Sequence, residues 1–161
     1  MDKKILIFGL CDKITKPIAL DVADATGKYF MDVSDLISYS LQDEKHIKDV
    51  AGVEYYDKEV KKLLLSLCSY ENIVVNCPYD LLNNECVFNK LKQNFKFVYI
   101  NMLKSTLKKI NKDLKSSSLD TNLLVYKELN LSCKNKADEV ISVKEFDKNL
   151  ITAQILEKLN D

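Results

Sequence analysis

Apolar residues along this chain fall into short unbroken blocks, separated by stretches where they recur every three or four positions. Lys4-Ile5-Leu6-Ile7-Phe8 is a continuous run closed by Gly9, the pattern of a strand buried on both faces. Residues 72–76 and 95–100 repeat it, and residues 28–31 and a short stretch within 137–143 read as two more strands. Between them, Thr15 is placed to cap a helix that tolerates Pro17 in its first turn and closes near Gly27. Ser34-Asp35 opens another helix through Leu36, Ile37 and Tyr39. Tyr56, Val60, Leu63, Leu64 and Leu67 recur at helical spacing. Residues 81–93, 104–110, 123–129 and 150–159 also read as helices, whereas 42–51 reads as polar loop or loose helix and 111–120 as a mobile stretch. Strands that alternate with helices throughout mean βαβ units. The expected fold is a three-layer α/β/α domain with a five-stranded parallel sheet, whose ligands bind at the carboxyl ends of the strands. No repeat or linker interrupts residues 1–161, so one domain is expected.

Charge narrows the partners. The chain has 24 basic and 24 acidic residues and a formal net charge of +0. That balance argues against nucleic acid or a membrane surface held by bulk charge. No apolar run approaches the roughly 18 residues of a membrane span. The uncharged run after Lys4 is too short for a secretory core, so a cytoplasmic setting is expected. Five cysteines without a CxxC pair read as reduced thiols. Every basic residue is Lys, because the chain contains no Arg. Bidentate grips on phosphate or carboxylate normally use guanidinium, and none is available within the chain.

Several segments together resemble the shikimate kinase family, small P-loop kinases of the nucleoside-monophosphate-kinase type. Lys4-Ile5-Leu6-Ile7-Phe8-Gly9 is similar to that family's first strand and the opening of its phosphate loop. Phe30-Met31-Asp32-Val33-Ser34-Asp35-Leu36-Ile37 is similar to its F-x-D-x-D-E-L-I segment. Residues 72–82 stand where the family has a strand and a triple glycine. Phe97-Val98-Tyr99-Ile100 resembles the strand before the lid, and Ala137-Asp138-Glu139-Val140-Ile141 the late A-D-hydrophobic strand. The resemblance spans roughly residues 3–160 and implies a P-loop kinase-like domain.

The resemblance also shows where this chain departs from a working kinase. A phosphate loop reads G-x-x-x-x-G-K-[ST]; its glycines let backbone N–H groups wrap the phosphates, its Lys reaches them and its hydroxyl holds Mg²⁺. Here the run is Gly9-Leu10-Cys11-Asp12-Lys13-Ile14-Thr15-Lys16. Ile14 stands at the second glycine, Thr15 at the lysine and Lys16 at the hydroxyl. What is left is a remnant anion site made of Gly9, Lys13, Thr15 and Lys16 at a helix N-terminus, or an ordinary strand–helix turn. Asp32 falls on the aspartate near the metal, or else caps the next helix. The arginines that grip the substrate carboxylate fall on Asp57 and near Asn130. Near the lid arginine there are only Lys112, Lys115 and Ser116 to Ser118. Cys11 and Cys77 follow neighbouring strands, so both border the pocket, where a nearby Lys13 lowers a thiol pKa. The plainer reading makes them two small buried side chains. His46, the only histidine, is expected at the surface.

Three functional readings follow. The favoured one is a shikimate-kinase-like protein that has lost phosphoryl transfer, needs no cofactor, and binds a protein partner or a small anion. The second is a divergent but active small-molecule kinase using ATP and Mg²⁺, with Lys16 and Asp32 as its catalytic and metal-binding residues. The third is a thiol redox or metal protein built on Cys11 and Cys77.

Overall fold

The computed structural model describes residues 4–115 and 117–161. Five parallel strands form one sheet: β1 (Lys4–Phe8), β2 (Tyr29–Asp32), β3 (Ile73–Asn76), β4 (Phe95–Met102) and β5 (Glu139–Val143), in spatial order β2-β3-β1-β4-β5. Ile7 lies level with Asn76 on one side and Val98 on the other, while Asp32 lies level with Asn76. Burial follows position in the sheet. Every residue of the central β1 and of β3 is buried, whereas the edge strand β5 alternates between core and surface. Phe95, Phe97 and Tyr99 are buried core residues, as their spacing suggests.

Helices cover both faces of the sheet. Those labelled here are α1 (Asp12–Thr26), α2 (Val33–Leu41), α3 (Glu44–Ala51), α4 (Val53–Ser66), α5 (Glu85–Asn94), α6 (Lys104–Leu114), α7 (Ser117–Leu124), α8 (Tyr126–Lys136) and α9 (Lys148–Asn160). α1 packs against α9, and α4 against α5. This is the expected three-layer α/β/α arrangement on a five-stranded parallel sheet.

Local chemistry moves several boundaries. α1 starts at Asp12 rather than after a Thr15 cap; Thr15 is buried within the helix, and Cys11 takes the capping position without a side-chain bond. Gly27 closes α1 in a left-handed conformation (φ 65°), as its sequence position suggests. Residues 44–51 form a full helix because Asp43 accepts the His46 N–H at 3.0 Å and Lys48 pairs with Glu44 one turn away. The segment after β3 divides into a short 3₁₀ turn (Tyr79–Asn83) and α5, because the Asn84 side chain caps Val87. Residues 111–114 complete α6, and α7 and α8 divide at Val125, whose backbone leaves the helical region. Among the described residues, no helix is long and apolar enough to cross a membrane.

Candidate functional site

Two cavities open at the carboxyl ends of β1, β2 and β3. The first, about 340 Å³, is bounded by the turn Gly9–Cys11, Asp12, Tyr79, Asp80 and Asn122. The second, about 370 Å³, is bounded by Ser34, Ser38, Lys48, Tyr56, Asp57 and Asp80. Asp80 stands in both walls, so the cavities adjoin across it.

The turn after β1 is tight. α1 begins three residues past Gly9, and the Cys11 carbonyl accepts the Ile14 and Thr15 N–H groups at 3.1 and 3.2 Å. Those amides are therefore used inside the helix. Ile14 and Thr15, at 3% and 2% exposure, point into the core rather than the cleft. Gly9 is fixed by packing, since a Cβ there would lie 2.7 Å from the Thr15 methyl carbon. The Lys13 ammonium donates to the Leu114 carbonyl at 3.4 Å.

Lys16 and Asp32 do come together. The Lys16 Nζ lies 3.3 Å from Asp32 Oδ2 and 2.6 Å from Asp35 Oδ2. The hydrogen bond to Asp35 raises the Lys16 pKa, with Asp32 adding to it. Asp32 is also the cap of α2: Oδ2 accepts the Asp35 N–H at 3.1 Å, and Oδ1 accepts from Asn76 Nδ2 at 2.7 Å. The helix-cap reading of Asp32 is thus observed, and the same carboxylate pairs with Lys16.

Asp12 is the electrostatic outlier. Burial first, then the neighbouring carboxylates Asp32 and Asp80, push its pKa up to about 6, against the opposing pull of Lys16. Its Oδ1 is buried and has no hydrogen-bond partner.

Of the two readings of Cys11 and Cys77, the structure agrees with small buried side chains and not with activated thiols. Cys11 and Cys77 are both buried, and burial raises both thiol pKa values. Lys13 does act to lower that of Cys11, but burial outweighs it. No group of three or more His, Cys, Asp or Glu side chains is disposed to hold a metal among the described residues. The redox and metal reading therefore finds no support. His46 is exposed, as expected.

Asp57, where the resemblance would put a substrate-gripping arginine, is exposed and lines the second cavity. Asn130 accepts the buried Tyr99 hydroxyl at 2.9 Å. Lys112 lines a separate surface depression with Leu124, and Lys115 ends α6 in a left-handed conformation. Ser116 and the side chains of Ser117 and Ser118 lie outside the described residues. Tyr79, Asp80 and Asn122 were not singled out by the sequence. Asp80 had a faint signal in its place just past a buried strand. Asn122 had none, because its partner Leu10 lies 112 positions away.

This donor set does not fit a magnesium–triphosphate. The Ile14 and Thr15 amides bond to the Cys11 carbonyl, their side chains are buried, and an unpartnered carboxylate oxygen of Asp12 stands in the cleft wall.

The fold is that of the small P-loop kinases. The structure of shikimate kinase from Bacteroides thetaiotaomicron superposes with a TM-score of 0.80 at 12% identity, covering 99% of each chain. Shikimate kinase from Acinetobacter baumannii, in complex with shikimate, gives 0.77 at 16% identity over 98% of this chain and 93% of that one. A gluconokinase from Sinorhizobium meliloti 1021 gives 0.58 at 15% identity, over 99% and 92%. At these identities the likeness is one of fold. No family model matches the sequence, and no curated protein matches it.

Proposed function

We propose that this chain is a shikimate-kinase-like pseudoenzyme: it binds a small molecule or a partner through the cleft at the strand ends and does not transfer phosphoryl groups. The observation that carries this reading is the turn after β1. Its Ile14 and Thr15 amides bond to the Cys11 carbonyl, the side chains of both are buried, and Lys16 is held by Asp32 and Asp35. Electrostatic stabilisation at a transferring phosphoryl group is worth several powers of ten in rate, and no guanidinium is present to supply it. The five free thiols are in keeping with a reducing cytoplasm.

One observation favours the second reading, an active ATP- and Mg-dependent kinase. Lys16 and Asp32, the pair it depends on, meet at 3.3 Å beside the first cavity's turn. A melting screen with ATP, ADP, Mg²⁺ and shikimate, combined with a phosphoryl-transfer assay, separates the two. The expected outcome is no ligand-dependent rise in Tm and no turnover. Mg-dependent turnover that Lys16→Ala or Asp32→Ala abolishes would establish the kinase instead.

A further inference from the structure

The neutral polar groups of the first cavity are already engaged with one another. The Tyr79 hydroxyl donates to Asn122 Oδ1 at 2.8 Å, and Asn122 Nδ2 donates to the Leu10 carbonyl at 3.0 Å. Two carboxylates stand in the same wall: Asp12, whose buried Oδ1 has no hydrogen-bond partner, and Asp80, which also bounds the second cavity. Neither forms an ion pair among the described residues. The lysines nearby are engaged elsewhere. Lys13 donates to the Leu114 carbonyl, Lys16 is held by Asp32 and Asp35, and Lys48 of the second cavity pairs with Glu44 at 2.6 Å. Asp57, in the same wall as Lys48, has no ion pair among the described residues either. The shortage of donors recurs at the end of β3. There Asn76, wholly buried, gives its Nδ2 to Asp32 and keeps an unpartnered Oδ1. The raised pKa of Asp12 has the same origin, since burial and the carboxylates of Asp32 and Asp80 outweigh the pull of Lys16.

An ionised carboxylate only accepts hydrogen bonds, so this wall suits a donor that also carries positive charge. An ammonium group supplies both, with three N–H donors on a compact cation. A phosphate or carboxylate brought to the same place meets like charge, which disfavours it. A metal ion matches less well. Hard cations take six or more oxygen ligands, and no group of three or more His, Cys, Asp or Glu side chains is disposed to hold a metal among the described residues. We propose that the cleft takes a small organic cation: a primary amine whose ammonium group is held by Asp12 and Asp80 in the first cavity and whose remainder extends past Asp80 into the second. Asp57 and the hydroxyls of Ser34 and Ser38 in that second wall suit a polar or second cationic end. The proposal rests on the reading of the cleft as a ligand site and names the charge of what it takes.

Calorimetric titration and melting of the full chain at neutral pH test it, with putrescine, its uncharged counterpart butanediol, its dicarboxylate counterpart succinate, and Mg²⁺ as probes. The diamine is expected to bind saturably and raise Tm, with added salt weakening it, while the diol and the diacid do neither. Asp12→Asn and Asp80→Asn keep the shape of the wall and should each weaken diamine binding about tenfold, the loss of one charged hydrogen bond. Asp24→Asn, at an exposed position of α1 outside both cavities, should leave the affinity unchanged. A diamine that binds no better than the diol overturns the proposal. So does an equal loss in Asp24→Asn, which would mark attraction to bulk charge, and so does Mg²⁺ binding with the same dependence on Asp12 and Asp80. Succinate bound in place of the diamine overturns the assignment of charge and leaves the cleft a ligand site. Phosphoryl transfer in the assay described above counts against the pseudoenzyme reading alone, so the two failures are told apart.

Discussion

Asp12 and Asp32 occupy similar junctions, each at the carboxyl end of a strand where a helix begins, yet their surroundings are opposite. Asp32 sits one residue before its helix, in the capping position, where both oxygens find donors and Lys16 supplies charge. Asp12 is the first residue inside its helix, one step too late to cap it. Its Oδ1 is orphaned, and burial with two neighbouring carboxylates drives its pKa up to about 6. A single step in register separates a carboxylate that holds the fold together from one that strains it. The comparison also shows what the β1 junction offers to the cleft. Its first turn presents the half-buried Asp12 to the cleft, and the Ile14 and Thr15 amides already have a carbonyl partner.

The comparison breaks most sharply at Asp32. Asp32→Ala removes a cap, a buried hydrogen-bond acceptor and the counter-ion of Lys16, and should cost about 3 kcal/mol. Urea unfolding measures it, and a loss near zero would make the junction's network incidental. Next comes Gly9→Ala, which sharpens the picture of the other junction. The new methyl meets the Thr15 methyl carbon, so a cost of about 2 kcal/mol is expected from overpacking. Thr15→Ser in the same chain removes the obstructing carbon and should restore most of it. A double variant no better than Gly9→Ala alone would mean the glycine is needed for something other than fit.

The smallest effect is the most diagnostic. An acid whose pKa is raised on folding stabilises the folded state when protonated. The contribution of Asp12 is full below its ordinary 3.8 and is lost as pH rises through about 6. Asp12→Asn should therefore raise stability at neutral pH by about 1–2 kcal/mol, with the gain shrinking to nothing near pH 4. Unfolding midpoints of both proteins across that range test the sign. A gain independent of pH would show that the carboxylate is not the source.

The strands were the most legible part of the sequence. Uninterrupted apolar runs such as Ile5-Leu6-Ile7-Phe8 have few conformations that hide every side chain, and a central parallel strand is one of them. Helices were legible where an apolar face was long, as around Tyr56, Val60 and Leu64. They were less so where side-chain caps decided the outcome, as with Asp43 before α3 and Asn84 before α5. At the site, the meeting of Lys16 with Asp32 fitted a resemblance carried by short motifs. The plainer reading of Cys11 and Cys77 as small buried side chains agrees with the structure, and burial raises both thiols.

Composition alone fixed one thing no fold could alter: without arginine, the chain has no guanidinium to offer any ligand. The alternation of strand and helix likewise follows from local periodicity, which is a property of neighbours in sequence. What only the tertiary structure decided is which polar groups are left wanting. Asp12 became an orphan, Asp80 a shared wall and Asn122 a clasp on Leu10 because packing the layers brought distant residues together. Hydrogen-bond satisfaction and desolvation are settled by that packing and not by the order of residues along the chain.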